Sequence, residues 1–122
     1  MSFRRSQKVA GLLKMEISDI IRTRIKDPLV GFITITDVVL SDDLRNAKVY
    51  FSVFGDETQL KKTIRGLERA RLFIQNELGS RIRLRYTPIL QFYPDKSWNY
   101  GMTIDRILHD LQLEKDSTAG EN

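Results

Sequence analysis

The sequence predicts an α+β domain in which helices cover one face of a small three-stranded sheet. Three observations predict it. Apolar residues recur at three- and four-residue steps near the start and again over residues 60–78, two β-branched runs flank a short turn-forming link, and a short apolar run follows Pro88. A chain of 122 residues fits one domain. That domain is expected over residues 1–113, with a polar, disordered tail over 114–122.

The first helix rests on Val9, Leu12, Leu13, Ile17, Ile20, Ile21 and Ile25, which draw one apolar stripe. Arg5, Lys8, Arg22 and Lys26 lie mostly off it. Ser6 is a candidate cap for its start, and Asp27-Pro28 for its end, because proline disfavours helical geometry in the preceding residue. A strand follows over Phe32 to Leu40, with Asp37 read as an edge or bulge residue. Ser41-Asp42-Asp43 makes a turn to a second strand, Ala47 to Phe54. There Ala47, Val49, Phe51 and Val53 alternate with Lys48, Tyr50 and Ser52, as in one half-buried arm of an antiparallel hairpin.

Asp56 and Gln59 resemble a capping box ahead of the long stripe Leu60, Ile64, Leu67, Ala70, Ile74 and Leu78. Gly79 is the expected stop, and Gly66 and Ala70 are places to bend. Residues 80–86 (SRIRLRY) either finish that helix or run on as an extended connector. Ile89 to Tyr93 is the third strand, Asp95 to Asn99 a turn, and Tyr100 to Leu113 a last amphipathic helix on Ile104, Ile107, Leu108 and Leu111. Phe51, Phe54, Phe73, Phe92 and Tyr93 are assigned to the core. Tyr50, Trp98 and Tyr100 are left as candidate stacking aromatics.

Little in the chain points to catalysis. It has no cysteine, so disulfides and thiolate metal sites are excluded, and its single histidine, His109, has no partner for a metal or a triad. Asp42 and Asp43 are better explained by turn chemistry than by a metal. There is no phosphate-binding loop, dinucleotide fingerprint, G-x-S-x-G elbow or G-x-x-G loop. No apolar run approaches the ~20 residues of a membrane span, and Met1 to Lys8 has no apolar signal core, so a cytoplasmic protein without a cofactor is expected.

Charge is distributed unevenly. Residues 1–26 carry seven basic and two acidic side chains, residues 27–60 two and six, and residues 61–85 eight and two. Two basic segments in a chain of net charge +4 suggest a polyanion partner, although solvated helix faces would produce the same count. The candidates for phosphate contact are Arg4, Arg5 and Lys8, then Lys61, Lys62, Arg65, Arg69 and Arg71, then Arg81, Arg83 and Arg85. Lys61, Lys62, Arg65 and Arg69 fall on one stripe if the segment is helical. Arg81, Arg83 and Arg85 share a face only if theirs is extended. Arginine suits this role because its planar fork bonds two phosphate oxygens at once.

Over residues 4 to about 112 the chain resembles the bacterial ribosome-binding factor A family. The match is carried by Lys26-Asp27-Pro28 with Gly31, by Ser41, Asp43-Leu44 and Ala47 through Ser52 (AKVYFS), and by Leu78-Gly79, Arg83-Leu84-Arg85 and Pro88. Phe92, Asp95, Ser97, Gly101 and Ile104 complete it. The resemblance implies a type II KH-like domain, α-β-β-α-(kink)-α-β-α, whose Ala-x-Gly kink approaches RNA. That kink maps onto Ala70-Arg71-Leu72, with leucine in place of glycine, which leaves the bend at Ala70 or at Gly66. The resemblance also implies a monomeric, non-catalytic assembly factor. It would bind the free 30S subunit, 16S rRNA and its precursor, support maturation of that precursor, and support growth in the cold. Two other readings of the residues are a basic module that binds an acidic ribosomal protein or GTPase, and a nuclease, for which no catalytic cluster is found.

Overall fold

The computed structural model describes residues 3–28, 30, 32–95, 109 and 112. Their order is α1 (Phe3–Arg24), β1 (Ile33–Leu40), β2 (Asn46–Val53), α2 (Glu57–Arg81) and β3 (Ile89–Pro94). The strands form one sheet in the order β1-β2-β3, in which β1 pairs antiparallel and β3 parallel to β2. A parallel neighbour needs a crossover, and α2 supplies it.

The predicted alternation in β2 holds. Ala47, Val49, Phe51 and Val53 are buried beneath the helices, and Lys48, Tyr50 and Ser52 face away. Leu90, Phe92 and Pro94 of β3, with Ile35 and Val38 of β1, extend the buried face. Leu13, Ile17, Ile20 and Ile21 of α1 and Leu60, Ile64, Leu67, Ile74 and Leu78 of α2 close over it. Register slips between Ile35 and Asp37, which leaves Thr36 without a partner, so the Asp37 region is a β-bulge. The Asp37 carboxylate accepts from the Val38 backbone N–H at 2.9 Å.

Each strand differs from expectation by one residue at one end or both, with β1 starting at Ile33, β2 running Asn46–Val53 and β3 ending at Pro94, and the helix ends differ as well. Ser6 lies inside α1, which starts at Phe3 and ends at Arg24, ahead of Asp27-Pro28. The cap at Asp56 forms, with its carboxylate accepting from the Gln59 backbone N–H at 3.0 Å, but the Gln59 amide turns forward to Thr63 instead of back. Gly79 does not end α2, which continues to Arg81 with Ile82 as its C-cap. A side chain at Gly79 would meet Thr87 Oγ1 at 2.7 Å, so this glycine serves the close approach of the outgoing connector.

α2 is one unbroken helix of 25 residues, and Gly66 and Ala70-Arg71-Leu72 all lie within it. Leu72 stays right-handed, as a residue with a Cβ does most cheaply. The left-handed leucine is Leu44, φ 61°, in the β1–β2 turn. There the Leu44 N–H donates to the Ser41 carbonyl at 2.9 Å, and Asp43 accepts from Ser41 Oγ and the Arg45 N–H. These bonds hold the Asp43 carboxyl below the usual aspartate range, with the Ser41 hydroxyl the largest cause.

Three aromatics assigned to the core are outside it: Phe54 is 92% exposed, Phe73 is 42% exposed, and Tyr93, out of phase with the buried Leu90, Phe92 and Pro94, lies on the open face of the sheet. Phe54 follows the last residue of β2, where the alternation no longer applies, and Phe73 sits beside the buried arc of α2. Thr63 is fully buried instead. Its hydroxyl donates to the Val30 carbonyl at 3.1 Å and accepts from the Gln59 amide, tying the α1–β1 loop to α2. The expected turn at 95–99, the last helix and the tail fall mostly outside the described residues. His109 and Gln112 are exposed and helical.

Candidate nucleic-acid interface

The basic residues singled out by sequence do not form one patch. α2 rises ~1.5 Å per residue, so Lys61 and Arg81 stand ~30 Å apart along its axis. Lys61 and Lys62 lie on its first turns. Arg83 and Arg85 lie past its end, in the connector to β3. Arg4 lies in the first turn of α1, and Arg5 and Lys8 are exposed on the same helix.

Between these ends the arginines are engaged by acids. Arg81 reaches Asp19 Oδ2 at 2.7 Å, Glu16 Oε2 at 3.3 Å and Glu77 Oε1 at 3.7 Å. Glu77 also accepts from Arg24 at 3.0 Å, and Asp19 from Arg22 at 2.6 Å. Three guanidiniums and three carboxylates thus make a neutral network across α1 and α2. The Arg81 hydrogen bond is the chief reason that the Asp19 carboxyl sits below its ordinary pKa, and the same bond raises that of Arg81. Farther along, Arg69 bonds Asp27 at 2.8 Å and Arg71 lies 3.6 Å from Glu68. Arg65 is half-buried and also makes an interaction, and Ala70 packs against the core.

Helix geometry explains this sorting. Positions 69, 77 and 81 lie along the flank of α2 that faces α1, and their partners 27, 24 and 16–19 run in the reverse order, as antiparallel helices require. Arg81 therefore belongs to the helix seam. It does not share a face with Arg83 and Arg85.

The connector leaves α2 with extended backbone at Ile82, closes a tight turn in which the Leu84 N–H donates to the Ile82 carbonyl at 3.2 Å, and bends again at residues 85 and 86. Ile82 and Leu84 turn towards the core while Arg83 and Arg85 are exposed. Beside it stands Arg45 of the β1–β2 turn, which sequence reasoning missed because it lies in an acidic stretch. Its backbone carbonyl accepts from the Ile89 N–H at 2.8 Å, and its guanidinium lies 4.8 Å from the centre of the Tyr86 ring. Among the described residues, Arg45, Arg83, Arg85, Lys61 and Lys62 take part in no ion pair. On the open face of the sheet Tyr50 lies 6.0 Å from Tyr93, ring centre to ring centre. Trp98 and Tyr100 fall outside the described residues.

Asp42 and Asp43 lie in the turn, and among the described residues no three His, Asp or Glu side chains are placed to hold a metal ion. No described helix is long and apolar enough to cross a membrane.

The crystal structure of ribosome-binding factor A from Thermus thermophilus superposes with a TM-score of 0.66 at 29% identity, over 73% of this chain and 94% of that one. A solution NMR structure of a Thermotoga maritima candidate ribosome binding factor A gives 0.70 at 28% identity, over 81% and 94%. A Thermus thermophilus ribosome binding factor A homology model, fitted into a cryo-EM map of its complex with the 30S subunit, gives 0.61 at 30% identity, over 71% and 91%. The sequence model of the family described as ribosome-binding factor A matches residues 5–108, so the chain belongs to the ribosome-binding factor A family.

Proposed function

We propose that this protein is a non-catalytic assembly factor that binds the free 30S subunit through 16S rRNA and its precursor. In this reading it supports maturation of the precursor, including in the cold, as a cytoplasmic monomer. Family membership over residues 5–108 carries the reading, and the 30S complex of the Thermus relative supports it. The α-β-β-α-β order, with β3 parallel to β2, supports a type II KH-like description. The cations best placed to meet phosphate are Arg83 and Arg85, then Lys61 and Lys62. Arg4, Arg5 and Lys8 are a further set on α1. Arg65, Arg69, Arg71 and Arg81 are engaged within the protein and contribute less.

Filter binding to 30S particles and to naked precursor rRNA over a salt series tests this. If about five phosphates are met, log affinity falls against log salt with a slope of roughly −3 to −5. Retained 30S binding without binding to naked rRNA would instead assign the protein to an acidic ribosomal protein or GTPase. Site-specific cleavage of precursor RNA by the purified protein with Mg²⁺, lost on Asp42→Asn or Asp43→Asn, would overturn the non-catalytic reading.

A further inference from the structure

We propose that Tyr86, flanked by Arg45 and Arg85, is a stacking site for an unpaired nucleobase. The site deepens the RNA-binding reading above and rests on it.

Two segments distant in sequence build it. The parallel pairing of β2 with β3 sets Asn46 opposite Ile89, and the Ile89 N–H bond to the Arg45 carbonyl fixes the turn against the connector. The connector itself is anchored on both sides of the ring. Ile82 and Pro88 are buried, and Leu84 packs against the core. Tyr86 thus stands on a fixed base, yet its side chain serves no core, being 50% exposed. The guanidinium carbons of Arg45 and Arg85 lie 4.8 and 5.4 Å from the ring centre, within the range in which a cation holds an aromatic face.

The chemistry suits single-stranded RNA. A base stacks on an aromatic ring whatever its identity, and it reaches the Tyr86 face as a guanidinium swings off the ring to meet the flanking phosphate, an exchange favoured because stacking is worth more than an exposed cation–ring contact. Arg45, Arg83 and Arg85 supply positive charge to the strand on either side of a stacked base. The nearby Asp43 carboxylate accepts from Ser41 Oγ and the Arg45 N–H and offsets part of the Arg45 charge, which leaves Arg83 and Arg85 as the stronger phosphate contacts. Bases within a duplex keep their faces covered by their neighbours, so the site selects unpaired nucleotides.

The test uses the full chain and a labelled single-stranded RNA of about ten nucleotides, with the same sequence as a duplex for comparison. Tyr86→Leu weakens single-strand binding about 5- to 100-fold, and Tyr86→Phe stays within about twofold of the native protein. Because no charge changes, Tyr86→Leu leaves duplex affinity and the salt slope as they were. Arg45→Gln and Arg85→Gln each flatten the single-strand slope by about 0.7. Native-like single-strand affinity in Tyr86→Leu would remove the stacking site and leave the RNA reading in place. An equal loss on single strand and duplex, or loss of 30S binding alone, would also overturn it. No binding of the native protein to any RNA would overturn the underlying reading itself.

Discussion

The seam between α1 and α2 and the pole where the β1–β2 turn meets the connector are both arginine-rich, and they differ in what faces the arginines. In the seam, Arg22, Arg24 and Arg81 are matched by Glu16, Asp19 and Glu77 into a neutral network. At the pole, Arg45, Arg83 and Arg85 make no ion pair among the described residues, although the Arg45 charge is felt by the Asp43 carboxylate, and two of them lie against an exposed tyrosine ring. A polyanion is drawn to the second kind of region, because charges already paired have little net field to offer. Net charge by segment cannot separate the two, since a carboxylate 60 or so residues away in sequence counts for nothing until the fold brings it near.

The contrast can be broken by substitution, beginning beneath the seam. Ile74 is fully buried on α2, and Ile74→Ala should cost about 2–5 kcal/mol in urea denaturation. A smaller loss than from removing seam charges would mean that ion pairs, not packing, join the helices. At the pole the expected effect moves from stability to binding. Arg83→Gln with Arg85→Gln should leave the urea midpoint in place while lowering single-strand RNA affinity about tenfold at low salt and flattening the slope by about 1.4. Arg69→Gln with Arg71→Gln should change RNA affinity less. An equal or larger loss from that pair would return the site to the middle of α2.

Acid should act on the seam first. The Asp19 carboxyl is held below its ordinary value in the fold, so its contribution is complete above the unfolded pKa and is lost as pH falls through the depressed one. Thermal stability should therefore fall below about pH 4, and less steeply in Asp19→Asn. Asp43 titrates in the same sense in the turn, so its loss accompanies that of Asp19. Smallest of all is the exposed pair at the seam's edge. Arg69→Gln, which removes the bond to Asp27, should change stability by no more than about 0.5 kcal/mol by calorimetry.

Local periodicity made most of the fold legible. The β2 alternation names both faces of its strand, the Asp56 cap fixes the start of α2, and of the two readings of Asp37, edge or bulge, the register shift selects the bulge. What sequence could not convey depends on neighbours. Gly79 has the look of a helix stop, yet its purpose lies with Thr87 across the connector. Leu72, which replaces the glycine of the implied kink, stays right-handed, whereas the turn bonds at Ser41 and Asp43 hold Leu44 in left-handed geometry. The exposure of Arg83 and Arg85 was legible from residue type, whereas nothing local announces that Arg81 is engaged by three acids from two helices. Arg45 and Tyr86 gave no signal, because one sits among aspartates and the other ends an apolar–basic alternation.

The parallel pairing of β2 with β3 also sets an order of assembly. The β1–β2 hairpin closes a short loop and needs no later part of the chain. β3 can join only after the 25 residues of α2 have crossed the sheet, a more costly loop closure. As the polypeptide leaves the ribosome that made it, the hairpin and the helix stripes can meet first, with the outer edge of β2 bare until residues 89–94 emerge. Slow synthesis across the connector would prolong that exposure. A variant weakened in β3 should therefore reveal itself in aggregation during refolding before it does so in equilibrium stability.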